Sequence, residues 1–143
     1  MIKAEDLRIG DLVKTSCDRE SPKGVVCTVS EIRIVKLKSP ERKVGLVRLI
    51  PFSGNDNEWT ELWCYNIEGI PLTPEILEKN GWFFNTRLSF AYAREDNRLE
   101  VHFYPHSEWM YVILGSETLH KIRYVHELQH ILWALGLNAE LKV

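Results

Sequence analysis

Cysteine is scarce in this 143-residue sequence, and its three cysteines are odd in number and lack C-x-x-C spacing. This pattern argues against a disulfide framework and a zinc ribbon, because both need paired cysteines at suitable separations. We expect reduced thiols, as in a cytoplasm. Cys27 lies in an alternating apolar run and is predicted to be buried, whereas Cys17 lies in a polar turn.

The sequence also lacks a long apolar run. Its opening residues, MIKAEDLRIG, contain no signal-peptide core. No segment approaches the roughly 20 apolar residues that cross a bilayer. We therefore expect a soluble, cytoplasmic protein without a membrane partner.

A large excess of positive charge is absent as well. The formal net charge is −2, and residues 1–50 carry 11 basic and 7 acidic side chains against 7 and 13 in residues 51–143. Domains that bind nucleic acid are usually strongly basic. The composition therefore disfavours nucleic acid as a partner, and we expect a protein partner that the sequence does not identify.

The first half of the chain has the pattern of short strands separated by polar turns. Strand patterns occupy 24–35, 44–52 and 59–67, and a shorter strand precedes them. Several short strands at this spacing are typical of a small antiparallel barrel or a strongly bent sheet. We predict a small β-barrel-like lobe over residues 1–70.

A short helix is predicted between the two halves. Thr73 can cap its N-terminus, Pro74 fits its first position and Glu75 complements its positive end. Gly81 follows as a left-handed terminator. We expect this helix to link the two lobes.

Residues 71–143 are predicted to form an α+β lobe. Alternation predicts a strand at 84–92 and a returning strand at 99–104, and the apolar run at 109–114 predicts a strand covered on both faces. The connections are too short for parallel crossovers, so the sheet should be antiparallel, with the C-terminal helix packed against it. The predicted fold class is α+β, and the two lobes could also form one compact domain.

The segment YVHELQH contains the zinc signature H-E-x-x-H. His126 and His130 are four residues apart, which places both imidazoles on one helical face toward a single metal. Glu127 would be the general base that deprotonates a zinc-bound water. One alternative is therefore a zinc-dependent peptidase with zinc as cofactor, His126 and His130 as metal ligands and Glu127 as the catalytic residue.

The number of available ligands argues against this alternative. A catalytic zinc needs three protein ligands, and Trp133 and Gly136 stand where the long form of the motif has Gly and His. Only 13 residues follow His130, with Glu140 as the one acidic candidate. A third ligand from upstream remains open, and the candidates are His102, His106 and His120.

The helical wheel gives a second argument. Val125, Leu128 and Leu132 fall on the face of an ordinary core-packing helix, and His126 and His130 fall on the opposite side. We therefore expect a structural helix with no bound metal and no catalytic residue, in which Leu128 and Leu132 are buried.

A cluster of positive residues lies between positions 33 and 48. On a small barrel it could contact phosphates, which gives a second alternative, a weak nucleic-acid-binding module. The favoured interpretation is a solvated strand edge whose lysines oppose aggregation. The candidate residues are Arg33, Lys36, Lys38, Arg42 and Lys43.

Three ordered segments carry a resemblance to a known group: IKAEDLRIGDLV, IPLTPEILEKNGW and IRYVHELQHILWALGLNAELKV. They resemble segments of small uncharacterised Bacteroidetes proteins associated with prophages and other mobile elements. In that group the closing helix reads V-H-Q-L-Q-N, with amides at the positions of Glu127 and His130, which implies a structural helix. The resemblance implies no activity or site residues, and we expect a non-enzymatic accessory or interaction protein of mobile-element origin.

Overall fold

The computed structural model describes residues 2–16, 23–38, 41–52, 60–85, 90–94, 99–104 and 106–143, without the side chains of residues 41 and 42. By its internal contacts the chain divides into two compact units, Met1–Ile70 and Pro71–Val143. Each unit contains one five-stranded antiparallel sheet. The described residues thus form mostly antiparallel sheet with few helices, consistent with an α+β or mainly β fold.

The first unit is built around a long hairpin. Its strands are β1 (Leu12–Thr15), β2 (Val26–Lys38), β3 (Glu41–Pro51), β4 (Thr60–Trp63) and β5 (Ile67–Gly69), in the sheet order β4-β3-β2-β1-β5. Two short 3-10 helices lie at Ala4–Asp6 and Cys64–Asn66.

One face of this sheet forms the core of the first unit. Val29 of β2 stands opposite Leu49 of β3, and Val47 stands opposite Leu62 of β4. Directly opposed residues share one face of an antiparallel sheet. All four of these side chains are buried on that face. Cys27 is buried in the same cluster, which confirms its prediction as a core residue.

The first unit does not form a closed barrel. β4 and β5 stand at opposite ends of the strand order, and within the described ranges they do not pair with each other. Residues 59–67, predicted as one strand, instead hold β4, the 3-10 helix Cys64–Asn66 and β5. The short segment Cys64–Asn66, which joins β4 to β5, can span only about 14 Å. The sheet must therefore bend strongly to bring its two open edges this close.

The second unit is a five-stranded meander with two helices. Its elements are α1 (Pro74–Lys79), β6 (Phe83–Phe84), β7 (Ala91–Ala93), β8 (Leu99–Phe103), β9 (Met110–Leu114), β10 (Glu117–Ile122) and α2 (Val125–Ala134). The sheet order is β10-β9-β8-β7-β6. Every described strand pair in it is antiparallel, which confirms the antiparallel prediction.

The ends of α1 form as predicted. The Thr73 hydroxyl accepts the backbone N–H of Ile76 at 3.4 Å, and Pro74 occupies the first turn. Gly81 follows the helix with φ +77°, a conformation in which a side chain would be strained. The same hydroxyl at the helix N-terminus holds the pKa of Glu75 below its ordinary value.

One strand prediction for the second sheet is wrong, and one strand was not predicted. The single strand expected over 84–92 is a hairpin of β6 and β7, in which Phe84 pairs with Tyr92. Phe90 has φ +77°, a left-handed conformation that ends the extended alternation before β7. β10 was not predicted, because its sequence, ETLHKI, lacks a strong alternation and nearly all of it is exposed.

The prediction that residues 109–114 form a strand covered on both faces is also wrong. In β9 only Val112 is buried, and its neighbours are half-buried. One face of the sheet carries the buried pair Val101 and Val112, whereas the other carries the polar pair Glu100 and His102. A sheet with one polar face leaves β9 covered on one side only.

Candidate functional site

Helix α2 carries the H-E-x-x-H motif and has defined ends. It begins after Tyr124 and is followed by Gly136 with φ +69°. The N–H of Gly136 donates to the carbonyl of Trp133 at 3.0 Å, and the N–H of Leu137 donates to that of Leu132 at 2.8 Å. These two bonds form a Schellman motif, which satisfies carbonyls that the helix itself leaves without a donor.

The carboxylate of Glu127 caps the N-terminus of α2. Its Oε2 accepts the backbone N–H of Arg123 at 2.6 Å and that of Tyr124 at 2.9 Å. This is the return half of a capping box, in which the third helical residue bonds the amide at the N-cap. A negative charge at this position also complements the helix dipole. The side chain that the zinc alternative assigns as general base is therefore engaged by the backbone.

The two motif histidines are in ring contact. His126 lies edge-on to His130, with ring centroids 5.9 Å apart and planes at 71°. Its other neighbour is the Tyr124 ring, which stacks on it at 5.7 Å and 10°. His126 is only 3% exposed, so the expectation that both histidines oppose the buried face is wrong for this residue. Tyr124 precedes the helix in extended backbone, and its ring covers the imidazole.

The apolar face of α2 matches the wheel prediction. Val125, Leu128 and Leu132 are fully buried, which confirms the predicted burial of both leucines. Gln129 is buried as well, and its amide N–H donates to the carbonyl of Ala139 at 3.1 Å. The chain after the helix is thus bound back onto it.

Among the side chains that the structure describes, a third metal ligand does not join the two histidines. Within the described residues no group of three His, Cys, Asp or Glu side chains is placed to hold a metal. His102 is engaged with Glu100 at 2.7 Å. His120 is exposed in β10, and His106 lies outside any strand with φ +71°. The structure therefore brings together the two motif imidazoles and none of the upstream candidates.

The basic cluster is divided between the two faces of the β2–β3 hairpin. Arg33 and Arg48 lie on the face that also carries Glu31 and Glu61. Arg33 contacts Glu31 at 3.1 Å and also contacts Glu61. Arg48 contacts the same two carboxylates at 3.0 and 3.2 Å. Two positive and two negative charges offset each other here, which weakens this face as a phosphate-binding surface.

Sequence inspection missed this ion-pair network, although the signal was present. Glu31, Arg48 and Glu61 stand directly opposite one another on three adjacent strands. Opposite charges at cross-strand positions attract, but a register is needed to see them. Lys36, Lys38 and Lys43 fall on the opposite face, and the Arg42 side chain lies outside the described atoms.

The buried thiols are not set up for nucleophilic chemistry. Burial raises the pKa of Cys27 and the pKa of Cys64. A raised pKa lowers the thiolate fraction at neutral pH, and the thiolate is the reactive form. Both residues therefore serve as packing groups of the first unit.

Comparison with protein-family models, curated proteins and solved structures gives no match. In the part of the chain that the structure describes, no helix has the length and apolar character required to cross a membrane. Any functional assignment therefore depends on the side-chain geometry described above.

Proposed function

We propose that this protein is a non-enzymatic accessory protein that acts by binding another protein. The observation that carries the proposal is Trp133, which lies in the last turn of α2 and is 67% exposed. Burying an aromatic side chain of this size contributes strongly at interfaces, and Trp is enriched at their energetic centres. Leu135, two residues further on, is a second exposed apolar side chain at the end of the helix.

The geometry of the motif supports a binding role over a peptidase role. The Glu127 carboxylate accepts two backbone N–H groups at the start of α2, so it holds the helix rather than a water molecule. His126 is buried under Tyr124, which restricts the access of solvent to its ring. Both arrangements are those of a structural helix end.

We further propose a cytoplasmic location and a mobile-element origin. Cys27 and Cys64 are buried free thiols, a state that suits a reducing compartment. The proposed origin is supported by the resemblance of the two ends and the centre of the chain to proteins of prophages.

The proposal is tested with a tagged protein as bait in extracts of its native cells. Partners identified by mass spectrometry are then purified, and their dissociation constants are measured by calorimetry. Because a central Trp contributes about 2 kcal/mol or more, Trp133→Ser should weaken binding about 30-fold or more. Leu119→Ser, a change of an exposed apolar residue in β10, is the matched control and should leave the affinity unchanged. A purified partner that binds both variants equally well would contradict the role of α2.

A further inference from the structure

The first unit contains a groove beside the first half of β3, where the chain turns away from β3 after the end of β4. β4 pairs with β3 from Leu46 to Leu49, and the chain then turns into the 3-10 helix Cys64–Asn66. The groove that this turn leaves has a volume of about 290 Å³. Its lining includes Ala4, Ile34, Gly45, Cys64 and Tyr65.

The floor of the groove is set by a close backbone approach. A side chain at Gly45 would overlap the Cβ of Ala4 and the Sγ of Cys64, so only glycine fits there. The walls are apolar and open to solvent, because Ile34 is 64% and Tyr65 45% exposed. Ile34 and Tyr65 stand beside a floor in which Ala4 and Cys64 pack over Gly45. Together these residues form an apolar seat for one side chain.

Lysines lie along one end of this groove. Lys43 is part of its lining, and Lys36 is the direct cross-strand partner of Lys43. Lys38 lies two residues further along the same face of β2. All three are exposed, and Arg33 and Arg48 lie on the other face of the hairpin. The apolar seat is therefore bordered by positive charge on the side of the hairpin tip.

We propose that this groove binds a short segment of a partner protein in which an apolar side chain is followed by carboxylates. The apolar side chain packs against the exposed Ile34 and Tyr65, and the carboxylates meet Lys43 and Lys36. Charge complementarity of this kind sets partner choice and orientation. The inference extends the proposed protein-binding role to a second surface, separate from Trp133.

Size and charge favour a peptide over other anionic ligands. The volume of about 290 Å³ lies at the lower limit of small-ligand pockets, so it accommodates one or two side chains. Glu5 also lines the groove, where it forms an ion pair with Lys3 at 3.3 Å. A continuous polyanion such as a nucleic acid would meet this carboxylate, whereas a peptide with acidic residues at one end avoids it.

The experiment is a titration of the full-length ¹⁵N-labelled protein followed by NMR. The probe is the peptide acetyl-SSLFEE-amide, and the comparison ligands are acetyl-SSSSEE-amide, acetyl-SSLFKK-amide and a twelve-nucleotide oligothymidine. We expect the probe to shift the amide signals of Ile34, Lys43, Gly45 and Tyr65, and each comparison ligand to bind at least about tenfold more weakly.

Two pairs of variants test the contributions of the apolar seat and of the lysines separately. Lys43→Glu and Ile34→Ser should each weaken binding of the probe about tenfold. The matched controls Lys23→Glu and Ile9→Ser change exposed residues away from the groove and should leave binding unchanged.

Three results would overturn the inference. They are the absence of shifts at the groove, equal binding of acetyl-SSSSEE-amide, and equal or tighter binding of the oligothymidine. Partner binding that depends on Trp133 would persist in each case, so failure of this inference is distinguishable from failure of the proposed function.

Discussion

At the scale of single residues, the Glu127 carboxylate lies within hydrogen-bond distance of two backbone amides at the start of α2, 2.6 Å from the N–H of Arg123 and 2.9 Å from that of Tyr124. These amides belong to the end of a helix, where N–H groups have no partner within the helix itself. A charged acceptor there forms short, strong bonds. Glu127 therefore contributes to the stability of the second unit.

Replacing Glu127 tests this contribution. Glu127→Ala should lower the free energy of unfolding by about 0.5–2 kcal/mol, the usual cost of losing a cap. Chemical denaturation followed by circular dichroism measures it. Glu140→Ala removes an exposed carboxylate outside any helix and is the matched control, with an expected change within about 0.5 kcal/mol. Equal stability of the Glu127 variant and the wild-type protein would show that the cap contributes nothing.

Gly45 is a second single residue whose close contacts affect the stability of the protein. Because an added Cβ would overlap Ala4 and Cys64, Gly45→Ala should cost about 1–3 kcal/mol of unfolding free energy. Combining it with Ala4→Gly removes one of the two overlapping groups and should recover part of the loss. Denaturation of the single and double variants measures this coupling. Simple additivity of the two changes would contradict the close packing of Ala4 over β3.

At the scale of secondary-structure elements, α2 carries a buried leucine face and two histidines, of which His126 is buried and His130 is half-buried. Leu128 is fully buried, and its replacement by alanine leaves a cavity that should cost about 2–5 kcal/mol. His130 is half-buried and touches His126 by its ring edge. His130→Asn should cost about 1 kcal/mol or less. Denaturation of the two variants compares the faces, and equal losses would contradict the observed rotation of the helix.

Helix α1 and strand β2 show which elements the sequence patterns can predict. α1 was predictable because its cap, its proline and its terminal glycine are local signals that each follow from backbone chemistry. Strand β2 was predictable because its alternation places Cys27 and Val29 on one face. Both predictions depend on residues close together in the chain.

Features that depend on distant residues were not predictable in this way. The alternation in 84–92 fits one strand as well as two, and among the described residues of this segment the left-handed conformation of Phe90 interrupts it before β7. His126 is buried and stacks on the ring of Tyr124, a residue before the helix that a wheel of the helix alone does not include. The Glu127 cap could have been recognised from its spacing to Tyr124, but tyrosine replaces the usual Ser or Thr of a capping box.

At the scale of the whole molecule, two antiparallel units each bury their own apolar face and expose a different kind of surface. The first unit exposes a groove bordered by lysines, and the second exposes Trp133 at the end of a capped helix. Neither surface includes a group of catalytic residues among the described side chains. These two exposed surfaces are the basis of the proposed binding role, whereas the zinc alternative depends on His126 and His130 alone among the described side chains.

Metal content tests this conclusion for the intact protein. A zinc held by His126 and His130 would be retained through purification at about one equivalent, because structural and catalytic sites bind tightly at neutral pH. A chelator would then lower the melting temperature, since a ligand that binds only the folded state stabilises it by mass action. We expect substoichiometric zinc and an unchanged melting temperature, because the two imidazoles are not joined by a third ligand in the described residues and Glu127 is engaged by the backbone. Elemental analysis and thermal melts of the wild-type protein and of His126→Asn measure both quantities. Stoichiometric zinc whose removal lowers the melting temperature of the wild-type protein but not of the variant would make the peptidase the leading alternative.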